Sequence, residues 1–258
     1  MSEVNLEKTA KNLISTFIDA GELSLKLRKK GLIKKIKSDN TPVTNGDIEV
    51  NKILIEKLKL ITPEIPIISE ETMENKNINN LKNFWLVDPI DGTYDYINNL
   101  SEFTINAGLI MNNEPVMGLI YAPEKKRMFY SYGYNSAFEI YKGETIKLNC
   151  NNRDKNKIKF VSYSNKLKPE IEKIHNSLGV NEYVRMKSSL KFCVIAAGEF
   201  DGYVAEPRAC EWDIAAGHAI VIHSGGSVKD FNNEKIIYGK KNFVNSSLIV
   251  KGKKVFYG

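Results

Sequence analysis

The chain has 258 residues, 42% of them hydrophobic and 26% charged, with a formal net charge of +6. That length suffices for one large domain or two lobes with a sizeable core, and the sequence holds no run of about 18 apolar residues that would span a bilayer. Three cysteines without a CxxC spacing argue against a disulfide framework and a zinc site, and lysines scattered in pairs such as Lys34-Lys35 and Lys125-Lys126 describe a solvated surface, not a nucleic-acid face.

The first predicted element is a helix. Leu6, Leu13, Ile14, Phe17, Ile18 and Leu25 recur at helical spacing, and Gly31 stands where a terminating glycine belongs. A polar segment from Lys37 to Val43 follows, then Thr44 as cap of a second helix with Asp47 in its first turn; Ile53, Leu54, Leu58 and Ile61 give that helix a buried face, and Thr62-Pro63 ends it. Two apolar strands come next, each ending in acids: Pro66 to Glu71, and Trp85 to Asp91 followed by Gly92 and Thr93. Pro89 fixes its own φ and is expected to hold a turn open so that Asp88 and Asp91 point the same way. An antiparallel meander is predicted over 103–111, 115–122, 127–132 and 137–141, with turn signals at Asn112-Asn113, Pro123-Glu124, Gly133 and Lys142-Gly143. Asn149 to Asn156 is the best linker candidate. Beyond it the pattern alternates: strand 158–162, helix 169–178, strand 182–184, helix 189–197, strand 202–204, helix 213–223, and strands 227–230 and 248–250. The chain therefore divides into an N-terminal α+β lobe, 1–148, and a C-terminal α/β lobe, 149–258, with no internal repeat or low-complexity tract.

Carboxylates delivered by two strand ends are the usual furniture of a divalent-metal site, because Mg²⁺ demands oxygen ligands. Each acid has a plainer explanation. Asp91-Gly92 alone is a common hairpin turn, Glu70 and Glu71 alone a solvated loop, and Asp213 alone a helix-start acid favoured by the dipole. Trp212-Asp213-Ile214-Ala215-Ala216-Gly217 is odd for a simple cap, since Trp and small residues flank the acid as if it packed on another element. Gly92 and Thr93, opening a short helix, offer N–H groups to phosphate oxygens. Ser188 and Ser189 precede an apolar helix; one is expected to cap it, and Lys191 adds a charge able to meet a second phosphate. His175, His218 and His223 show no paired spacing with the acids, and Cys193 and Cys210 have no evident base, so none receives a chemical role.

Taken together, Val43-Thr44-Asn45-Gly46-Asp47, Ser69-Glu70-Glu71, the Asp88 to Thr93 run and the Trp212 to Gly217 run resemble the signature segments of the inositol monophosphatase superfamily of Mg²⁺-dependent, lithium-sensitive phosphatases, in order and spacing over nearly the whole chain. Within it, Lys37 to Thr44, Tyr121-Ala122-Pro123 and Ser188 to Cys193 are similar to the CysQ-type 3'(2'),5'-bisphosphate nucleotidases, which remove the 3'-phosphate of adenosine 3',5'-bisphosphate. The resemblance implies a two-lobed, layered αβαβα sandwich and two or three Mg²⁺ ions. Carried over residue by residue, Glu70, Asp88 and the Ile90 carbonyl hold one ion and Asp88, Asp91 and Asp213 another, while Asp47 with Thr93 serves the attacking water and Glu70 is the second choice as base. Gly92, Thr93, Ser188, Ser189, Lys191, Tyr203, Arg208 and Asp213 are implied on the substrate. One departure stands out: where the branch often carries Tyr-Pro-Arg, this chain has Tyr203-Val204-Ala205, which leaves Arg208 as the substitute cation.

The chemistry independently asks for such a set. A phosphate monoester repels nucleophiles by its own charge, so neutralising that charge and activating water are the two tasks. The leading expectation is a bisphosphate nucleotidase acting on a small phosphorylated molecule, with no nucleic-acid partner. The alternatives are an inositol or fructose bisphosphate phosphatase on the same scaffold, or a non-catalytic nucleotide or metal sensor. The polar start, Met1 to Lys8, lacks an export signal, so a cytoplasmic location is expected, with peripheral contact at the inner membrane face as its variant. A homodimer is compatible with the resemblance.

Overall fold

A computed structural model describes residues 4–37, 40–75, 81–151 and 157–256. Helix α1 (Leu6–Lys30) is capped by Asn5, whose side chain accepts from the Lys8 N–H, and it turns Leu13, Phe17 and Ala20 inward. Two short strands, β1 (Lys34–Ile36) and β2 (Pro42–Thr44), pair antiparallel where the sequence showed only a polar segment. Helix α2 (Asn45–Ile61) starts at Thr44 with a full capping box, the Asp47 carboxylate closing back on the Thr44 N–H.

Strand β3 (Ile67–Ser69) runs into a 3₁₀ turn over Glu70–Asn75, and β4 (Phe84–Asp91) leads to the short helix α3 (Thr93–Ile97). Then come β5 (Thr104–Met111), β6 (Glu114–Ala122), β7 (Arg127–Ser131), β8 (Ala137–Tyr141) and β9 (Glu144–Lys147). These form one seven-stranded sheet in the order β3-β4-β5-β6-β7-β8-β9, parallel between β3 and β4 and antiparallel thereafter. The predicted meander is present, extended by β9. That strand's four residues are all exposed, so it carried no alternation of apolar and polar residues to betray it.

The remaining elements are β10 (Lys159–Ser162), α4 (Pro169–Ser177), β11 (Glu182–Arg185), α5 (Leu190–Ala196), β12 (Gly202–Ala205), α6 (Glu211–His223), β13 (Ser227–Lys229) and β14 (Leu248–Lys251). Five strands make a second sheet in the order β11-β10-β12-β14-β13, with a parallel half and an antiparallel half. Cys150, second residue of the predicted linker, is tied down by backbone bonds to Ser224 and Lys253; residues 152–156 of that linker lie outside the described residues.

The layers follow from where the apolar faces are spent. α1 and α2 cover one face of the large sheet through Leu13, Phe17, Leu54 and Leu58 packed on Trp85, Val87 and Leu119. The opposite face meets α6 and α5, which are themselves sandwiched against the second sheet by Phe192, Ile195, Ile220 and Val221 with Tyr203 and Val250. α4 closes the outside through Ile171 on Phe160 and Val204. Helices, sheet, helices, sheet, helix is the αβαβα sandwich expected from the sequence. α6 is buried nearly all round, as a helix between two sheets must be.

Candidate active site

Two local devices aim the acids of β4. Both Asp88 and Asp91 belong to the strand, which stays extended past Pro89, so the expected open turn is replaced by a different solution. Asp88 faces Asn106 and Asp91 faces Thr104, three residues on one strand against two on the other. An odd spacing in a regular strand would send the two carboxylates to opposite faces; the bulge cancels that by one residue. Gly92 then turns the chain at φ 94° into α3, and a β-carbon there would lie 2.8 Å from the Glu102 carbonyl. Only glycine fits that corner.

Asp213 comes from the other sheet's side. It sits in the first turn of α6, where its Oδ2 accepts from the Cys210 N–H at 2.7 Å. α6 lies against β5 and β6 so closely that a β-carbon on Gly108 would be 2.7 Å from the Ala215 Cβ, and one on Gly118 would strike the Ala216 carbonyl. The small residues after Trp212 therefore mark an intimate helix-on-sheet contact, and that contact sets how deep Asp213 sits.

The resulting pocket is electrostatically tense. Burial pushes the Asp88 carboxyl well above the usual range, and the charges of Glu70, Asp91, Asp213 and Asp47 push it further. Asp213 is raised in the same way, by burial and by Asp91 and Glu70. Glu70 and Asp91 are also raised by burial, though Lys37 pulls Glu70 down and Lys191 pulls Asp91 down. Asp47, 2% exposed, is pushed up to about 6 by burial, against the Thr44 hydrogen bonds that favour its charge.

Among the described residues, no trio of Asp, Glu, His or Cys side chains is already arranged around one point as metal ligands are. Each carboxylate instead leans on a protein group. Lys37 Nζ donates to Glu71 at 2.7 Å and to Glu70 at 3.2 Å; the Ser189 N–H donates to Asp91; Asp47 accepts from both the Thr44 N–H and its hydroxyl. The donor chemistry nevertheless fits a hard cation: oxygen-only groups that raise one another's proton affinity are relieved by positive charge.

Thr93 Oγ1 lies 3.4 Å from Asp47 Oδ1 and 3.1 Å from the Ile90 carbonyl, which brings the hydroxyl, Asp47 and Ile90 together. Ser188, Ser189, Lys191, Tyr203 and Arg208 line one cavity of about 120 Å³ together with Asp91 and Asp213. The Arg208 guanidinium stacks 3.8 Å over the Tyr163 ring, beside Ala205. Burial pulls the Lys191 ammonium down to about 8, with Asp91 opposing, and its Nζ donates to the Ser188 carbonyl.

The expected serine cap is not what the hydroxyls do. Ser189 Oγ turns away from α5 to Asn106 Oδ1 at 2.6 Å and Thr104 Oγ1 at 2.7 Å, while Ser188 Oγ reaches the Leu190 N–H only at 3.4 Å. Ser189 is drawn to partners on β5 and to Asp91, which outcompete a local cap. Lys37 and Glu71 were missed as site residues. Their signal was weak, because one lysine in a polar run and one of two adjacent glutamates look like solvated surface. His175, His218 and His223 lie on helices and are buried, and the three cysteines are free.

Comparison with known proteins agrees with this fold. The profile of the inositol monophosphatase family matches residues 5–255. The 3'(2'),5'-bisphosphate nucleotidase CysQ of Buchnera aphidicola is 36% identical over 95% of this chain and 97% of its own. Among solved structures, CysQ from Bacteroides thetaiotaomicron superimposes with a TM-score of 0.77 at 28% identity, covering 97% of this chain and 99% of the other. An inositol monophosphatase/NADP phosphatase complexed with Mg²⁺ and phosphate shares the fold, with a TM-score of 0.78 at 16% identity over 96% of this chain and 92% of the other.

Proposed function

The chain belongs to the inositol monophosphatase family, whose members are metal-dependent phosphatases, and from that premise we infer its activity and the roles of its residues. It is a 3'(2'),5'-bisphosphate nucleotidase, a phosphoric monoester hydrolase that releases the 3'-phosphate of adenosine 3',5'-bisphosphate to leave AMP. The observation that carries this is the end-to-end similarity to a CysQ nucleotidase, 36% identical over 95% of the chain.

Glu70, Asp88, Asp91, Asp213 and the Ile90 carbonyl are the residues that would hold Mg²⁺, as two or three ions. When bound, Mg²⁺ neutralises phosphate charge and activates water for attack. Asp47 and Thr93 manage the proton of that water. The Thr93 hydroxyl can accept from it while donating to Asp47, and an Asp47 carboxyl with a pKa of about 6 is ionised at neutral pH yet still a competent acceptor. Glu70 is the alternative base. Gly92 and Thr93 N–H groups are assigned to the phosphate being cleaved, and Ser188, Ser189, Lys191, Tyr203 and Arg208 to the nucleotide that leaves. Arg208 stands in for the arginine absent at Ala205; its stacking on Tyr163 keeps the guanidinium beside the cavity that Ala205 lines.

The same reading takes 1–148 and 149–258 as the two lobes, allows a homodimer, and places the protein in the cytoplasm with peripheral membrane contact as the variant. No described helix is long and apolar enough to cross a membrane.

The test is phosphate release with Mg²⁺ from adenosine 3',5'-bisphosphate, inositol 1-phosphate and fructose 1,6-bisphosphate. A kcat/KM highest for the nucleotide is expected. Equal rates on all three would defeat the nucleotidase assignment, a preference for a sugar phosphate would trace to Ala205, and no release from any would leave only a binding role.

A further inference from the structure

The segment from Lys187 to Ser189 is tied at one end to α3 and the loop that follows it, and at the other to strands β4 and β5. Lys187 Nζ pairs with Asp95 Oδ1 at 2.5 Å, with the two side chains 13% and 4% exposed. The same residue's N–H donates to Glu102 Oε2 at 2.9 Å, and its ammonium stands 4.6 Å from the centroid of the Tyr94 ring. Ser188 then turns at φ 54°, a left-handed conformation that a β-substituted residue keeps only when its neighbours hold it there. Ser189 follows with its N–H on Asp91 and its hydroxyl on Asn106 and Thr104. Asn106 Nδ2 is buried without a hydrogen-bond partner, so Asn106 serves this network through its oxygen, beside the Thr104 hydroxyl.

Asp95 lies in the first turn of α3, two residues after Thr93. The ion pair therefore joins the strap that holds Asp91 to the helix that carries the hydroxyl at Asp47. We propose that Lys187 and Asp95 are positioning residues for the hydrolysis: their buried pair fixes the 187–189 strap to α3 and so sets Asp91 and Thr93 in register. A nearly dry ion pair contributes little net stability but tolerates one geometry well. Lys187 does not act as a phosphate ligand here, because its charge is already answered by Asp95 and its direction is taken by the Tyr94 face.

This rests on the phosphatase reading, and the experiment separates the two. Asp95→Asn, Lys187→Met and Lys187→Arg are compared with wild type and with Glu199→Gln, which weakens the Arg127–Glu199 pair far along the sheet. Steady-state kinetics on adenosine 3',5'-bisphosphate and the Tm gained on adding Mg²⁺ are measured for each. Asp95→Asn and Lys187→Met are expected to lose about tenfold or more in kcat with KM nearly constant, since small misplacements of reacting groups are costly, and to show a smaller Mg²⁺-induced gain in Tm. Lys187→Arg should keep both, and Glu199→Gln should lower Tm without changing kcat. Unchanged kcat in both single variants overturns the proposal, as does a rise in KM alone, which would make Lys187 a substrate contact. Loss of kcat in Lys187→Arg equal to that in Lys187→Met overturns it too. If Lys187→Met does not fold, the nearly isosteric Asp95→Asn decides. An inactive wild type would overturn the phosphatase reading instead.

Discussion

Burial and four neighbouring carboxylates all raise the proton affinity of Asp88. Asp88→Asn removes one charge from that crowd while its oxygen can still accept from the Ile90 N–H, 3.1 Å away in the native protein. Two opposite effects are expected: Tm of the metal-free protein rises, and kcat falls by well over tenfold. Retention of more than about a tenth of kcat, equivalent to about 1.4 kcal/mol of barrier, would contradict the role given to Asp88. Lys191 is the complementary case. Its ammonium is buried and faces Asp91 across the cavity, so Lys191→Ala should raise KM for the bisphosphate more than for a monophosphate substrate. An equal rise for both would remove Lys191 from the second phosphate.

Elements, not loops, place these side chains. The acids of β4 depend on a bulge, Asp47 on a capping box and Asp213 on the depth of α6. Gly118 shows the last dependence most directly, because any β-carbon there collides with the backbone at Ala216. Gly118→Val should push α6 off the sheet, cost about 1–3 kcal/mol in denaturant unfolding as overpacking does, and reduce kcat more than it changes KM by displacing Asp213. A stable variant with normal turnover would show that α6 does not set the site. The sequence hinted at this contact through the small residues after Trp212, but the glycines they meet lie about a hundred positions upstream, and nothing local connects them. The bulge was similarly hidden: Pro89 was legible as a constraint, yet whether the chain turns or stays extended was decided by pairing with β5.

At the scale of the whole molecule, gathering carboxylates into a dry pocket makes stability depend on pH and cations. A carboxyl with a folded pKa above its unfolded value binds protons better when folded, so its stabilising effect is full below the unfolded pKa and fades as pH rises through the folded one. For Asp47 that window runs from the ordinary carboxylate range to about 6, and Glu70, Asp88, Asp91 and Asp213 shift in the same direction. The metal-free protein is therefore expected to lose Tm as pH rises from about 4 to about 7. Mg²⁺ should restore most of the loss at pH 7, since binding to the folded state alone stabilises it. A Tm that is flat across that range, with and without Mg²⁺, would mean the acids do not share a site.

The sequence alone determined nearly every helix and the central meander, because apolar periodicity and caps are local properties of the chain, and its signature segments carried the resemblance that implied the layered sandwich and the acids proposed for the metal. Tertiary structure alone decided which partner each polar group took: Lys37 on Glu70 and Glu71, Ser189 on Asn106 instead of its own helix, Lys187 on Asp95. Those pairings join residues about 30 to 90 positions apart, and burial selects them, since a polar group removed from water must find whatever partner the packing brings within reach.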